Sequence, residues 1–484
     1  MIEQIKQSPS YKWWAFIVVA VGTFASVMDQ GSVNVALPMM AEYFQTVLPT
    51  VQWVVIGHVL VISALLLPMG RVADLIGLKR VFILGSAVFI VGALISGSSD
   101  NLATLIIARL IQGAGAAMTQ GTGMAIAMAT FPESERGKAI GSIMSIVGVG
   151  AIAGPAIGGF LVDVLGWRSV FYANIIPVGL SIFLGMAILV NQVDRNVPSS
   201  PSKFDWVGAV ISASCLLVFL LTITNGHKTG WGSSFIILSI LVLIGLLAFF
   251  IWWENKSDSP MLDLSNFKHP NFSFSVSAGF LIFLGNSAVL FLTPFYLQRV
   301  LDLTPRESGL VMVPGAICMA LLGPLSGRLS DKFGWRIFTL TGLALCGTGL
   351  LIMTRLTPSS SILLVLPALI CHSSGMGIFY SPNVSAVLST VTRSRYGVVS
   401  AFLNLVRNSG NVTSIAMATA IVTATMGSQG YRPSLEYVQA GDASGIGLAF
   451  TTGLSNAFLF LSIFIFLAFI LSLFKFNKLN TSDT

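Results

Sequence analysis

Long apolar stretches dominate the chain from residue 14 to residue 474, and short polar segments separate them. Each stretch is about 20 residues long, which allows an α-helix to cross about 30 Å of hydrocarbon. We count fourteen, centred near residues 26, 62, 89, 115, 150, 179, 215, 243, 284, 316, 346, 375, 410 and 461. A membrane β-barrel would instead alternate apolar and polar residues over segments of about 10 residues. The pattern predicts an all-α integral membrane protein with fourteen transmembrane helices.

The composition supports this prediction and excludes other classes. Of 484 residues, 54% are hydrophobic and 9% are charged, against about 25% charged in a soluble domain. The net charge of +7 comes from bases scattered between apolar stretches rather than gathered in a patch, so no nucleic-acid partner is expected. The four cysteines lie far apart with no Cys or His at ligand spacing, so we predict neither a disulfide framework nor a metal site.

Basic residues indicate the orientation of the predicted helices. If both termini and the even-numbered loops are cytoplasmic, 18 of the 26 Lys and Arg residues lie on that side and 6 on the other. The remaining two, Arg109 and Arg407, lie within predicted helices. Cytoplasmic loops of membrane proteins carry such an excess of basic residues. We expect a multi-pass protein of the inner (cytoplasmic) membrane with both termini in the cytoplasm.

An internal repeat indicates a duplicated architecture. Residues 70–80 read GRVADLIGLKR and residues 327–337 read GRLSDKFGWRI, so Gly, Arg, Asp and Gly recur at the same offsets, 257 residues apart. The duplication predicts two pseudo-symmetric six-helix bundles, residues 1–195 and 266–484, with a linker and two inserted helices at residues 196–265. The Pro- and Ser-rich segment from residue 194 to residue 205 is the start of that linker region.

Ionisable residues at membrane depth are the candidates for function, because a charge at the bilayer centre costs at least about 2.5 kcal/mol. Asp29 is the only acid that we place well inside a predicted helix. At about 1.5 Å per residue, Asp29 lies about 13 Å below the outer end of helix 1, and Arg109 lies about 12 Å below that of helix 4. The two can therefore meet, either as a pair that carries a proton or as a static ion pair that fixes helix 1 against helix 4.

Other polar residues within the predicted helices have two interpretations each. His58, about 9 Å into helix 2, either relays protons or is a hydrogen-bonded structural residue. His372 in helix 12 is interpreted as a packed residue. Helix 13 carries a polar stripe that either lines a cavity or joins helices. The stripe consists of Asn404, Arg407, Asn408 and Asn411.

The sequence carries no enzyme signature. There is no GxxxxGK[ST] phosphate loop, and GVGAIAG at residues 148–154 lies inside an apolar helix with no strand before it. We therefore predict no catalytic residues, no cofactor and no metal. The expected partners are a small-molecule substrate, protons and the lipid bilayer, and the chain is expected to be monomeric.

Several motifs together resemble a known family, the fourteen-helix drug:proton antiporters of the major facilitator superfamily. MDQGSVNVALP at residues 28–38 is similar to the family's helix 1 motif, and RLIQGAGAA at residues 109–117 to the superfamily's helix 4 motif. GRVADLIGLKR resembles its loop 2–3 motif, and residues 141–159 fit the antiporter pattern G-x8-G-x3-G-P-x2-G-G. Shorter stretches also resemble this family: QWVV at 52–55, WRSVFYANIIPVG at 167–179, FDWVGA at 204–209 and LTPFYLQ at 292–298.

The resemblance implies a function. It implies the major facilitator fold, alternating access, and export of small organic, amphipathic compounds, as in multidrug efflux and antibiotic resistance, with the proton gradient as energy source. Asp29 would carry the proton, coupled to Arg109 and His58. The implied conformational switch comprises Gly70, Arg71, Asp74, Gly77, Arg80, Gly327, Arg328, Asp331, Gly334, Gly150, Gly154, Pro155, Gly158 and Gly159. The predicted substrate cavity comprises Asn34, Trp53, Gln112, Asn286, Asn404, Arg407, Asn408 and Asn411.

Alternatives stay open at this point. Asp74 forms a cytoplasmic latch with nearby bases, Lys79 among them, or those bases reflect topology alone. The protein could instead be a proton-coupled transporter of one metabolite or lipid, or a membrane sensor that transports nothing. Helix 13 lacks the acidic residue that some multidrug members use for dicationic drugs, so with Arg407 near mid-membrane we expect a neutral, zwitterionic or monovalent substrate.

Overall fold

The structure is a computed structural model. It describes residues 10–46, 48–51, 53–132, 135–190, 205–230, 232–257, 260, 262–303, 305–392, 395–431 and 445–474. Within these residues every regular element is helical, which confirms the predicted all-α class. Most of the predicted linker at residues 194–205, and the predicted domain boundary after residue 195, lie outside the described residues.

Fourteen helices in the described part of the chain have fourteen or more residues. They are α1 (Tyr11–Tyr43), α2 (Trp53–Ile76), α3 (Leu78–Gly97), α4 (Leu102–Thr130), α5 (Arg136–Leu165), α6 (Ile175–Ile188), α7 (Trp206–Thr229), α8 (Ser234–Lys256), α9 (Pro270–Phe295), α10 (Pro305–Phe333), α11 (Trp335–Met353), α12 (Ile362–Leu388), α13 (Tyr396–Ser428) and α14 (Ile446–Leu473). Short helices at Leu48–Val51, Ser169–Ala173 and Leu264–Lys268 and a π-helical turn at Tyr296–Val300 complete the set.

Twelve of the described helical segments are long and apolar enough to cross a membrane. The two long helices outside that number are α5, with 30 residues, and α13, with 33 residues. Both have the length to span a bilayer, since about 20 residues suffice. The count of fourteen crossings therefore stays a prediction.

The two copies of the internal repeat form the same local structure. α2 ends at Ile76 and α3 begins at Leu78, so Gly77 alone joins them, with φ at 102°. Gly334 alone joins α10 to α11 in the same way, with φ at 86°. Positive φ costs glycine little because it has no Cβ, which explains why glycine stands at this offset in both copies.

The chain divides into two compact units that interleave along the sequence. The first contains residues 1–219, 239–266 and 391–405, and therefore holds α1 to α6, most of α7 and α8, and the first third of α13. Near one end of α1 this unit has a hydrophobic core of buried side chains, which include Val33, Val54, Leu105 and Phe171. Because α1, α2, α4 and the short helix Ser169–Ala173 meet in this core, polar residues on their inner faces are brought together.

The second unit contains residues 220–238, 267–390 and 406–484. It includes α9 to α12, most of α13, and α14. α11 and α12 approach closely, since a Cβ on Gly375 would lie 2.5 Å from the Cys346 backbone nitrogen. Such small-residue contacts let membrane helices pack tightly. The predicted domain boundaries at residues 195 and 265 stay predictions.

Candidate functional site

Asp29 lies within α1 and is completely buried. Oδ2 accepts a hydrogen bond from Arg109 Nη1 at 2.8 Å. Oδ1 accepts from Gln112 Nε2 at 3.1 Å and from Asn174 Nδ2 at 3.0 Å. All three donors are buried as well. These three donors provide the hydrogen bonds that a buried carboxylate needs, since a buried charge without partners is strongly destabilising.

Arg109 is fixed by more than the carboxylate. Its Nη1 also donates to Gln112 Oε1 at 2.7 Å, and its Nε donates to the Val54 carbonyl of α2 at 3.0 Å. The guanidinium lies 5.7 Å from the centre of the Phe171 ring, within the range of a cation–π interaction. Its Nη2 has no hydrogen-bond partner among the described residues. The guanidinium therefore has partners other than Asp29 to hold it in place.

His58 presents a free nitrogen to Asp29. Its Nδ1 lies 3.3 Å from the Arg109 carbonyl oxygen, and because a carbonyl only accepts, Nδ1 carries the proton of the neutral ring. Nε2 is then an acceptor, 3.9 Å from Asp29 Oδ2, and it has no hydrogen-bond partner among the described residues. Two acceptors face each other across this gap. At 3.9 Å a proton placed between them would form a hydrogen bond only if the two atoms moved closer together.

Glycines of α5 allow α1 to approach beside Asp29. A Cβ on Gly158 would lie 2.5 Å from Ser32 Cα, and one on Gly154 would lie 2.8 Å from the Met28 carbonyl oxygen. Ser32 Oγ donates to the Gly154 carbonyl at 2.9 Å. The two backbones are therefore nearly in contact one turn from the carboxylate.

Other members of the same glycine motif are less tightly packed. A Cβ on Gly150 would lie 3.1 Å from Val27 Cβ, and one on Gly159 would lie 3.9 Å from Val35 Cγ1, an ordinary van der Waals distance. The side chain of Pro155 lies outside the described residues.

The sequence interpretation missed Asn174 altogether and assigned Gln112 to a substrate cavity. Asn174 lies at the break between the short helix Ser169–Ala173 and α6, and its amide also donates to the Val170 carbonyl at 2.9 Å. Gln112 follows Arg109 by one helical turn, which brings both side chains to Asp29. The spacing of three residues between Arg109 and Gln112 could have indicated the role of Gln112. No such signal existed for Asn174, because it lies where one helix ends and the next begins.

The predicted switch residues of the first repeat have different environments. Gly70 and Arg71 are buried, while Arg80 is exposed. Asp74 accepts a hydrogen bond from the Val398 backbone nitrogen at 3.2 Å. Lys79, one of the predicted latch bases, instead donates to the Met186 and Leu189 carbonyls at 2.8 and 2.6 Å, and so caps the end of α6.

Arg71 lies among acids of its own helix, α2, and of two other segments. It interacts electrostatically with Asp74, Asp205 and Glu254, and the positive charge of Arg395 opposes it. Glu254 is 4% exposed and accepts a hydrogen bond from the Leu262 backbone nitrogen at 3.0 Å. The sequence interpretation counted Asp29 alone as an acid well inside a helix. The structure also buries Glu254, which lies close to the end of α8.

The second repeat copy has fewer buried groups. Gly327 is buried, Arg328 is exposed and Asp331 is half-buried, and Gly334 forms the turn described above. The structure thus gives the two arginines of the repeat different environments, since Arg71 is buried and Arg328 is not.

The residues predicted to line a substrate cavity divide between the two units. In the first unit, Asn34 is exposed, Trp53 is half-buried and Gln112 binds Asp29. Asn404 is 4% exposed and donates to the carbonyls of Gln120 and Ser400, both at 3.1 Å. Both N–H donors of the Asn404 amide are therefore used within the first unit.

In the second unit, Asn286 lies 2.9 Å from His372 Nε2, and His372 Nδ1 lies 3.4 Å from the Cys346 carbonyl oxygen. This agrees with the interpretation of His372 as a packed, hydrogen-bonded residue. Asn411 accepts a short hydrogen bond from Ser287. Arg407 and Asn408 are half-buried on the same helix.

The side chains around Asp29 form one buried polar cluster. It contains the carboxylate of Asp29, the guanidinium of Arg109 and an imidazole nitrogen of His58 that has no hydrogen-bond partner among the described residues. The described residues contain no group of three or more His, Cys, Asp or Glu that could hold a metal ion.

Comparison with known proteins identifies the family. The family model described as Major Facilitator Superfamily matches residues 19–415. The chain is 34% identical over 410 residues to "Riboflavin transporter RibZ" of Clostridioides difficile (strain 630), which covers 84% of this chain and 87% of that protein. It is 30% identical over 421 residues to "Multidrug resistance protein Stp" of Mycobacterium tuberculosis, which covers 87% of this chain and 77% of that protein.

The fold is also that of a solved transporter. The crystal structure of the human organic anion transporter MFSD10 covers 95% of this chain and 100% of its own, with a TM-score of 0.66 and 15% identity. The predicted superfamily and fold class are therefore confirmed. The chain belongs to the Major Facilitator Superfamily, and it is a multi-pass membrane transporter rather than an enzyme.

Proposed function

We propose that this protein is a proton-coupled antiporter that exports small amphipathic organic compounds in exchange for protons. The observation that carries the proposal is the buried carboxylate of Asp29, held by Arg109 and facing the free Nε2 of His58. The relative named as a multidrug resistance protein supports export of drug-like compounds. The inner membrane, with both termini in the cytoplasm, is the proposed location, in agreement with the distribution of basic residues.

The proposed proton step is a change of partners at Asp29. A proton arriving at Oδ2 removes the negative charge that pairs with Arg109 Nη1 and creates an O–H donor directed at His58 Nε2. Arg109 then keeps its bonds to Gln112 and Val54 but loses its counter-ion. An uncompensated guanidinium in a dry site is unfavourable, so protonation favours a rearrangement of the helices around it.

The step couples to the rest of the first unit through α1. The close contact of Gly154 and Gly158 with α1 transmits small shifts of the Asp29 backbone directly to α5. Major facilitator transporters work by alternating access between repeats. We propose that protonation from outside favours release of the substrate, and that deprotonation on the inside resets the cycle.

The test is transport in inside-out membrane vesicles. A resistance profile of an efflux-deficient host, across cationic, zwitterionic and anionic inhibitors, first identifies a substrate. Asp29→Asn should then reduce uptake driven by a pH gradient at least about 100-fold, since a proton-transfer group contributes factors of this order. Asp163→Asn, which changes an exposed acid of α5 in the same way, should transport like the wild type. Full gradient-driven uptake by Asp29→Asn would overturn the proposal.

A second candidate is a proton-coupled transporter dedicated to one metabolite. The relative named as a riboflavin transporter favours it, since its identity to this chain is 34% over 84% of the chain. The resistance profile also separates the two candidates, because a dedicated transporter protects against few or none of the inhibitors. A membrane sensor without transport would tolerate Asp29→Asn in every assay.

A further inference from the structure

The second unit contains a polar surface that the proton step does not use. On α13, Asn411 bonds to Ser287 of α9, and Ser414 Oγ accepts from the Ala288 backbone nitrogen at 2.9 Å. Arg407 lies one turn before Asn411, on the same face of α13. Arg407 is the twelfth residue of this 33-residue helix, about 17 Å along the helix axis, and so lies far from either end.

Arg407 differs from Arg109 in having no acidic partner. None of the ion pairs between described residues includes Arg407, whereas Arg109 is paired with Asp29. Its side chain is half-buried, so part of the guanidinium can be reached. A charge at membrane depth is costly without a partner, and such residues mark ligand pathways.

Tyr380 of α12 stands beside this guanidinium. It is 4% exposed, and its ring packs edge-on against Phe283 with 5.7 Å between ring centres, which fixes the direction of the phenol. The hydroxyl has no hydrogen-bond partner of ordinary geometry among the described residues. Because a guanidinium only donates, Arg407 cannot accept the phenolic proton, and that donor stays available.

The guanidinium of Arg407 and the hydroxyl of Tyr380 together match one ligand chemistry. The planar fork of a guanidinium fits the two oxygens of a carboxylate, and a phenolic O–H adds a third donor to the same group. A cation at this position would be repelled. We propose that Arg407 and Tyr380 bind the carboxylate of an exported substrate, so that the transporter prefers amphipathic organic acids and zwitterions to organic cations. This inference rests on the proposed function and names its substrate class.

The test uses two dyes that differ in one group: a rhodamine with a free benzoate and the methyl ester of the same rhodamine. Binding to the purified full-length protein in detergent is measured by fluorescence anisotropy, without any gradient. The wild type should bind the free acid at least about tenfold more tightly than the ester, because charge-assisted hydrogen bonds are worth at least that factor.

Variants assign the preference to the two residues. Arg407→Gln should abolish the preference by weakening binding of the free acid. Arg407→Lys should retain about half of the preference on a logarithmic scale, because the charge stays and the fork is lost. Tyr380→Phe should reduce the preference about threefold. Arg355→Gln removes the same charge from an exposed position of the second unit and should leave the preference unchanged.

The outcomes are separable from those of the proposed function. Equal affinity of the wild type for both dyes, binding of neither dye, or a preference that survives in Arg407→Gln would each overturn the carboxylate site. If the proposed function is wrong, transport in vesicles will not depend on the pH gradient. A carboxylate preference in binding together with gradient-independent transport would keep the site and reject the antiport.

Discussion

His58 offers Asp29 an acceptor only through Nε2, since Nδ1 is used by the Arg109 carbonyl. A His→Asn substitution keeps an amide nitrogen near the position of Nδ1 and deletes Nε2. We predict that His58→Asn folds and binds substrate, but reduces pH-gradient-driven transport at least about tenfold, as expected when a proton-transfer partner is removed. Uptake in inside-out vesicles is the measurement.

A second buried histidine, His372, provides the control. His372 also uses Nδ1 toward a backbone carbonyl, but its Nε2 faces the amide of Asn286 instead of a carboxylate. His372→Asn should therefore leave the dependence on the pH gradient unchanged. His58→Gln, whose amide reaches the position of Nε2, should restore part of the lost rate. Equal losses in His58→Asn and His372→Asn would indicate a packing role for both residues.

Residue-level geometry was partly accessible from the sequence. Counting residues from the helix ends brought Asp29 and Arg109 to the same depth, and the structure has them in contact at 2.8 Å. Asn174 could not be predicted, because it follows a break between two helices and a break changes the direction of a side chain without leaving a periodic signal. Glu254 was missed since its burial depends on the turn that brings Leu262 back to it.

α1 and α5 form the tightest helix contact at the candidate proton site. A methyl group on Gly158 would meet Ser32 Cα at 2.5 Å, and backbone cannot move aside as a flexible side chain can. We predict that Gly158→Ala separates the two helices, lowers stability by about 1–3 kcal/mol and strongly reduces transport. Thermal unfolding of the purified protein and vesicle uptake are the two measurements.

The adjacent glycine is a matched control for this contact. A Cβ on Gly159 would lie 3.9 Å from Val35 Cγ1, so Gly159→Ala should keep the melting temperature and the rate. Loss of function in both variants would point to a general sensitivity of α5, and tolerance of Gly158→Ala would contradict the close packing of α1 against α5.

The repeat was the most informative element-scale feature of the sequence. Its Gly-Arg-Asp-Gly spacing predicted equivalent turns, and the turns at Gly77 and Gly334 both have positive φ. The sequence could not show that the two copies differ in burial. Arg71 is buried because α7, α8 and the start of α13 supply Asp205, Glu254 and Arg395 around it, and those neighbours are set by tertiary packing.

The number of membrane crossings is a property of the whole molecule. Apolar length predicted fourteen crossings, whereas twelve described helical segments meet the criteria of length and hydropathy for a span. α8 carries exposed apolar side chains along its length, such as Phe235, Leu241 and Ile251, as expected of a helix in contact with lipid. Polar residues in α13 reduce its apolar signal, while several side chains of α5 lie outside the described part of the chain.

Thiol labelling tests the predicted topology. In a variant without native cysteines, Asp100→Cys and Gly232→Cys should react with a membrane-impermeant maleimide on intact cells, and Ser10→Cys should react only after permeabilisation. Gly232 tolerates the change, since no atom lies within 4 Å of an added Cβ. Protection of Gly232→Cys in intact cells would show that α7 and α8 do not both cross the membrane.

A single carboxylate buried within a helix far from its ends has an electrical consequence. Among the described residues Asp29 is the only such acid, and the exchange that we propose uses one proton per cycle. With an organic anion leaving, two positive charges move inward; with a neutral compound one moves, and with a monovalent cation none. Each charge that crosses about 100 mV is worth about 2.3 kcal/mol. The charge of the substrate therefore decides how strongly membrane voltage, in addition to the pH difference, drives its export.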